Sequence, residues 1–349
     1  MKHPPIRFGL VGAGRIANSY VQAFDHWDAA QLVVVADVRH EAAQALAQGI
    51  GCVSVDSYQA MMEKSLFDAV IVCTPPSTHP EICKYFLQQK VHVLCEKPLS
   101  IDLQNAKEMV AAAETNRVLL TMASKFRYVE DVKRAKSIVT SGILGDIILF
   151  ENSFTSRVEM DQRWNADPAI SGGGVLIDNG THSVDLTRYF LGPLAEVQVL
   201  EGKRAQGLPV EDTVRIFVRS VSGVMGSIDL SWSINKELDS YLNIYGTHGT
   251  VFVGWNESKY RQSSSRDWVV FGKGYDKVQA FRSQLLNMTR AIRGEEPLLI
   301  TAEDALASVE VIETAYAALH RNNWIAVEKE SAGRSPADSP ARLTAGQPA

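Results

Sequence analysis

Three residues in this 349-residue chain have the types and spacing to move a proton: Lys97, Asp178 and His182. Asp178 and His182 lie four positions apart in Gly172-Gly173-Gly174-Val175-Leu176-Ile177-Asp178-Asn179-Gly180-Thr181-His182-Ser183-Val184-Asp185, which reads as a glycine turn entering a helix. Four residues make about one helical turn, so the carboxylate and the imidazole leave the same face and the acid can orient the ring. Histidine, with an unperturbed pKa of about 6.5, exchanges protons near neutral pH. Lys97 stands in Glu96-Lys97-Pro98 at the end of an apolar run. Lysine is ordinarily a solvated surface residue, but strand ends of a parallel sheet are where ligands bind, and a cis Lys97–Pro98 bond would fix the side chain's direction. Asp178 and His182 could also share a metal, yet no third ligand falls at a recognisable spacing, so no metal is expected.

These groups need a scaffold, and its first piece is Ile6-Arg7-Phe8-Gly9-Leu10-Val11-Gly12-Ala13-Gly14-Arg15-Ile16-Ala17, read as strand, turn and helix start. Gly12 permits the tight turn, Gly14 lets a pyrophosphate approach the backbone, and Ala17 lets the helix pack on the strand. The helix start offers free N–H groups and a partial positive charge, which makes Gly12, Gly14, Arg15 and Ile16 candidate phosphate contacts. A second apolar strand over 32–36 ends in Asp37, at the spacing from the glycines where an acid takes the adenosine ribose hydroxyls. That acid favours NAD by repelling a 2′-phosphate, while Arg39 could serve the phosphate of NADP.

Length predicts two domains, and a composition of 46% apolar and 21% charged residues predicts a globular chain. The net charge of −5 offers no basic field for nucleic acid or anionic membrane. There is no apolar run of membrane-spanning length and no apolar signal sequence, so a cytoplasmic protein is expected. Four cysteines without close metal-ligand spacing read as free thiols.

Short apolar runs alternate with helical patterns up to residue 123, the signature of a doubly wound parallel sheet. Strands are predicted over 69–73, 92–95 and 118–122, with Ser100 capping a helix that reaches about 114. The loop Thr74-Pro75-Pro76-Ser77-Thr78-His79-Pro80 follows one strand end, and its prolines stop both strand and helix. Beyond it, strands over 146–155, 196–200, 213–219, 224–232, 241–245 and 250–254 form a largely antiparallel sheet, with helices over 174–191, 278–293 and 302–322. The organisation expected is therefore a dinucleotide-binding domain over 1–123, an α+β substrate domain over 124–327 and a disordered tail over 328–349. The uncovered face of the second sheet predicts a homodimer or homotetramer built sheet to sheet.

From about residue 6 to 327 the chain resembles the Gfo/Idh/MocA family of nicotinamide-dependent oxidoreductases, which act mostly on sugars and cyclitols. The resemblance rests on Gly12-Ala13-Gly14-Arg15-Ile16-Ala17, Glu96-Lys97-Pro98 and the segment from Gly172 to Asp185. It implies that Lys97, Asp178 and His182 are the catalytic residues. It also implies that Thr74, Pro75, His79 and Glu96 face the cofactor, with Pro76 standing where many members carry Asn. Asn179, often apolar in the family, then faces the substrate.

The chemistry implied is hydride transfer between a secondary hydroxyl, or the matching ketone, and NAD(P). His182 would take the hydroxyl proton, Lys97 would steady the developing alkoxide, and Asp178 would hold the imidazole. Arg127, Arg157, Arg163 and Trp164 are candidate substrate contacts, and an arginine cluster would suit a carboxylate or phosphate on the sugar. Two other readings use the same cofactor site. An NAD-dependent glycosidase would cleave sugar without net NADH, and a non-catalytic NAD-binding regulator would be expected to lose the lysine or histidine that this chain keeps.

Overall fold

The computed structural model describes residues 4–64 and 66–327. Up to Ala123, strands and helices alternate: β1 (Ile6–Val11), α1 (Ala17–Phe24), β2 (Ala30–Ala36), α2 (His40–Gln48), β3 (Val53–Val55), α3 (Tyr58–Lys64), β4 (Ala69–Val72), α4 (His79–Gln88), β5 (His92–Glu96), α5 (Leu103–Asn116) and β6 (Leu120–Ala123). The six strands are parallel, in the order β3-β2-β1-β4-β5-β6. Every residue of β4 and β6 is buried, as helices on both faces of a sheet require. The edge strand β3 is not foreseen from sequence, because three residues are too few to show a period. The expected Ser100 cap is also corrected. Asp102 caps α5, its carboxylate accepting the Asn105 N–H at 2.8 Å, which suits the positive end of a helix better than a hydroxyl does.

The rest of the chain runs through α6 (Glu130–Thr140), β7 (Ile147–Thr155), α7 (Pro168–Ser171), α8 (Val175–Leu191), β8 (Leu194–Glu201), β9 (Thr213–Ser220), β10 (Met225–Ser231), β11 (Ser240–Gly246), β12 (Gly249–Gly254), β13 (Ser258–Gln262), β14 (Val269–Gly272), α9 (Lys277–Ile292), α10 (Ala302–Arg321) and β15 (Ile325–Ala326). Its sheet is ordered β14-β13-β12-β11-β7-β10-β9-β8-β15. All its pairs are antiparallel but one: β10 lies parallel to β7, an arrangement allowed by the long excursion through α7, α8, β8 and β9 between them. The polar β13, the four-residue β14 and the two-residue β15 lack the alternation that announces a strand.

Alternate residues of this sheet, such as Phe150, Val214, Ile216, Val218, Ile228 and Leu230, are buried with Leu176, Val184 and Leu186 of α8 and with α10. The outer face, expected to meet a second copy, carries half-buried Leu149, Phe217, Tyr245 and Phe252 among the ion pairs Arg215–Asp229, Lys236–Asp229 and Arg219–Glu196. After the second sheet the chain returns to the first. Phe281 of α9 meets the Tyr20 ring of α1 edge-on at 4.7 Å, and Arg282 donates to the carbonyls of Ala23 and Asp25 at 3.2 and 2.8 Å. Arg293 does the same to Pro4 and Ala29 at 3.0 and 3.1 Å.

The four cysteines are free. Among the described residues no helix is long and apolar enough to cross a membrane. The tail predicted from residue 328 lies outside the described residues.

Candidate active site

At the carboxyl end of β1, Gly12 turns the chain with φ +98°, and a Cβ there would stand 2.8 Å from the backbone of Cys73. Only glycine fits. Gly14 is different: no protein atom lies within 4 Å of where its Cβ would be, so packing does not demand glycine there. That is the position where a bound pyrophosphate needs bare backbone, and α1 starts beside it with no side-chain cap and no acid in its first turn. Arg15 is exposed and Ile16 half-buried at this helix start. Asp37, at the end of β2, accepts N–H bonds from Ala13 at 2.7 Å and Arg39 at 2.8 Å. Its carboxylate is thereby pinned beside the turn, while the Arg39 side chain is 71% exposed. The turn and the acid together fit an NAD adenosine and pyrophosphate.

Two residues expected to touch the cofactor are turned inward instead. His79 is fully buried, with Nδ1 2.8 Å from the Pro98 carbonyl oxygen and Nε2 2.9 Å from that of Thr74. Burial lowers its pKa and favours the neutral ring, which has one N–H to share between two carbonyls. It staples the Thr74-Pro75 loop to the Lys97–Pro98 turn, whose peptide is cis. In the same loop the Thr78 hydroxyl bonds Thr74 Oγ1 at 2.7 Å and the Pro75 carbonyl at 2.8 Å. Glu96 accepts the Tyr20 hydroxyl at 2.8 Å and the Lys97 N–H at 3.2 Å, and burial raises its pKa. Gln284 of α9 donates in turn to Tyr20 at 3.2 Å.

Lys97, at the end of β5, reaches across to α8. Its ammonium donates to the Asp178 carbonyl at 2.9 Å and forms an ion pair with the Asp178 carboxylate. The expectation that Asp178 orients His182 is therefore corrected, because the carboxylate is committed to the stronger charge-assisted bond with lysine. His182 instead has Nδ1 3.4 Å from Ser124 Oγ and its ring edge-on to Phe126 at 5.1 Å. Burial, then the charges of Lys97 and Lys125, push its pKa well below the usual range, so the imidazole is neutral.

The triple glycine that starts α8 has a cause elsewhere in the chain. Glu211 accepts N–H bonds from Gly174 at 2.9 Å and Leu176 at 3.1 Å, and the Tyr316 hydroxyl at 2.8 Å. A Cβ on Gly173 would overlap that hydroxyl, and one on Gly174 would overlap the Glu211 carbonyl. A buried carboxylate thus caps the helix that carries Asp178 and His182.

Two of the three candidate arginines are corrected. Arg127 is 3% exposed, with its guanidinium 2.8 Å from Asp185 and 3.1 Å from Asp304, so it ties α8 to α10 and does not face the cleft. Arg157 is exposed and paired with Glu159 at 2.9 Å. Half-buried Arg163 and 43% exposed Trp164 ride on the segment leading into α7, which packs against the Pro76–Thr78 turn. Asn179 is half-buried on α8 next to Asp178.

Sequence reasoning missed Ser124, Lys125, Phe126, Glu211 and Tyr316. Lys125 follows the end of β6 just as Lys97 ends β5, so the strand-end rule could have found it. Glu211 has no local signal beyond the glycines it presses against. Among the described residues no group of three potential ligands could hold a metal ion.

Known proteins share this fold. Residues 6–124 match the "Oxidoreductase family, NAD-binding Rossmann fold" and residues 132–252 the "GFO/IDH/MocA C-terminal domain". The inositol 2-dehydrogenase of Rhizobium meliloti is 23% identical over 92% of this chain and 99% of its own. The D-glucoside 3-dehydrogenase of Escherichia coli is 33% identical over 55% of this chain and 56% of its own. A levoglucosan dehydrogenase solved with NADH and levoglucosan superposes with a TM-score of 0.86 at 20% identity, covering 93% of this chain and 99% of that one.

Proposed function

The chain belongs to the Gfo/Idh/MocA family of oxidoreductases, and on that premise we propose that it transfers hydride between a secondary hydroxyl, or the matching ketone, of a sugar or cyclitol and NAD. One observation carries the reading: Lys97 from the first sheet meets Asp178 on α8 beside a buried, neutral His182. NAD, when bound, supplies the hydride acceptor. The side chains have three tasks of their own. Asp178 holds the Lys97 ammonium in place, and the ammonium steadies the negative charge that grows on the substrate oxygen. In the tautomer whose Nδ1–H donates to Ser124 Oγ, His182 keeps its Nε2 lone pair free to accept the hydroxyl proton. Phe126 and the burial around the imidazole exclude water from that transfer.

NAD is preferred over NADP because Asp37 places a fixed negative charge where a 2′-phosphate would come. The names of the relatives, an inositol 2-dehydrogenase and a D-glucoside 3-dehydrogenase, support a polyhydroxylated ring as substrate.

The test is NADH formation at 340 nm across inositols, aldoses, glycosides and sugar acids. Lys97→Ala is expected to lower kcat by at least about a hundredfold while NADH still binds. Full turnover in that variant would refute the assigned roles. Release of cleaved sugar without net NADH would point to the glycosidase reading instead.

A further inference from the structure

Among the described residues no carboxylate is paired with Lys125, although Glu96 and Asp178 lie near enough to act on its charge. The lysine stands in the Lys125–Tyr128 turn after β6, with its ammonium 5.3 Å from the Phe126 ring centre and 6.0 Å from that of Phe281. Among the described residues it makes neither an ion pair nor a hydrogen bond; its partners are aromatic rings, which leave the charge unneutralised. Lys277, the first residue of α9, brings a second ammonium to the same Phe281 ring at 5.9 Å. It stands at the positive end of a helix, where a cation is disfavoured unless an anion is near.

The acids around Lys125 are already engaged. Asp178 is paired with Lys97, Glu96 accepts the Tyr20 hydroxyl and the Lys97 N–H, and Asp276 caps α9 through the Gln279 N–H at 3.0 Å. What remains is a half-buried Lys125 and an exposed Lys277 that share the Phe281 ring, and Phe126 links Lys125 to the chemistry, its ring lying near both the Lys125 ammonium and the His182 imidazole.

Resting on the dehydrogenase reading above, we propose that Lys125 and Lys277 form an oxyanion subsite on the substrate side of the cleft, so that the preferred substrate is a sugar acid held by its carboxylate. The strand that leads to Lys125 is set apart from the strand that ends in the phosphate turn. The pyrophosphate belongs at the end of β1, and β6 lies three strands away, about 14 Å at the usual strand spacing. Two of the arginines that could have bound such an anion are engaged elsewhere, Arg127 between two acids and Arg157 with Glu159. Burial and the neighbouring Lys97 and Lys277 lower the Lys125 pKa to about 8, with Glu96 and Asp178 opposing. It is therefore mostly a cation at pH 7, and a bound carboxylate would hold it so.

The experiment uses the full chain with NAD and matched pairs that differ in one carboxylate: glucose and glucuronate, galactose and galacturonate. For whichever pair is oxidised, the acid should show at least about tenfold higher kcat/KM. Lys125→Met should raise its KM about tenfold with little change in kcat and erase the preference, while Lys125→Arg should retain it. Equal turnover of acid and neutral sugar, or a preference that survives Lys125→Met, overturns the proposal. So does a tenfold loss of NADH binding in Lys125→Met with both sugars affected alike, since the oxyanion would then belong to the cofactor. If no sugar is oxidised, the dehydrogenase reading fails separately, and thermal shift of the NADH complex decides the subsite. Stabilisation of the wild type by glucuronate or galacturonate but not by the neutral sugars, lost in Lys125→Met, supports it; no difference overturns it.

Discussion

The two ends of the cleft are built in opposite ways. At the cofactor end, β1, the glycine turn, α1 and the acid after β2 follow one another within residues 6–37, and each contact is local or links adjacent elements. At the substrate end, Lys97, Lys125, Asp178, His182, Glu211 and Lys277 arrive from separate stretches of chain, and the helix carrying two of them is capped from 37 positions away. A site made of neighbours in sequence is fixed by spacing. A site made of distant pieces is fixed by burial and by hydrogen bonds between elements, and its members are exposed to any change in packing.

Breaking the cap should give the largest effect. Glu211→Ala would leave two buried N–H groups at the helix start, and a half-buried tyrosine hydroxyl, without their acceptor, at about 1–3 kcal/mol for each buried group left unsatisfied. Chemical denaturation should show a loss of several kcal/mol, and kcat should fall as Asp178 and His182 lose their register, while NADH affinity holds. Glu211→Gln keeps an acceptor oxygen and should recover most of both losses. A variant that weakened NADH binding as much as turnover would erase the contrast between the two ends.

The converse experiment sharpens it. Asp37→Ala removes the acceptor of the Ala13 N–H and the charge beside the adenosine site. The NADH dissociation constant should rise about tenfold and the preference over NADPH should shrink, with the KM for the sugar unchanged. Titration of NADH and NADPH fluorescence measures both.

The smallest expected effect concerns pH. His182 is held neutral by burial, with a pKa well below its ordinary value, so its protonation begins only at correspondingly lower pH. Oxidation should therefore retain its rate as pH falls through about 6.5, the point where an exposed histidine base would fade. A limb in the kcat profile at that pH, absent from His182→Asn, would show that the imidazole is more solvated than its surroundings suggest.

The same contrast explains what could be read in advance. The parallel sheet, the glycine turn, Asp37 and the Lys97, Asp178 and His182 set were legible because strand ends and helical spacing place them. Asp178's true partner was not, since one turn of helix puts it beside His182 and gives no hint of a lysine 81 positions away. The place of Arg127 is hidden for a related reason: its two acids, Asp185 and Asp304, come from separate helices. The strand ends place His79 and Glu96 near the cofactor side of the sheet, but whether a side chain points to the cleft or to the core depends on what packs behind it, and α1 and α9 supply that for Glu96 through Tyr20 and Gln284.

The return of α9 to α1 has a consequence for anyone recombining this scaffold. The nucleotide-binding half is not a cassette that ends at Ala123, because Phe281, Arg282 and Arg293 furnish part of its wall and hold the backbone on both sides of α1. A chimera that exchanges the first sheet between related enzymes would have to carry α9 with it, or rebuild the seam residue by residue. Modularity here runs along contacts in space, and a cut made by sequence position alone would divide one structural part between two parents.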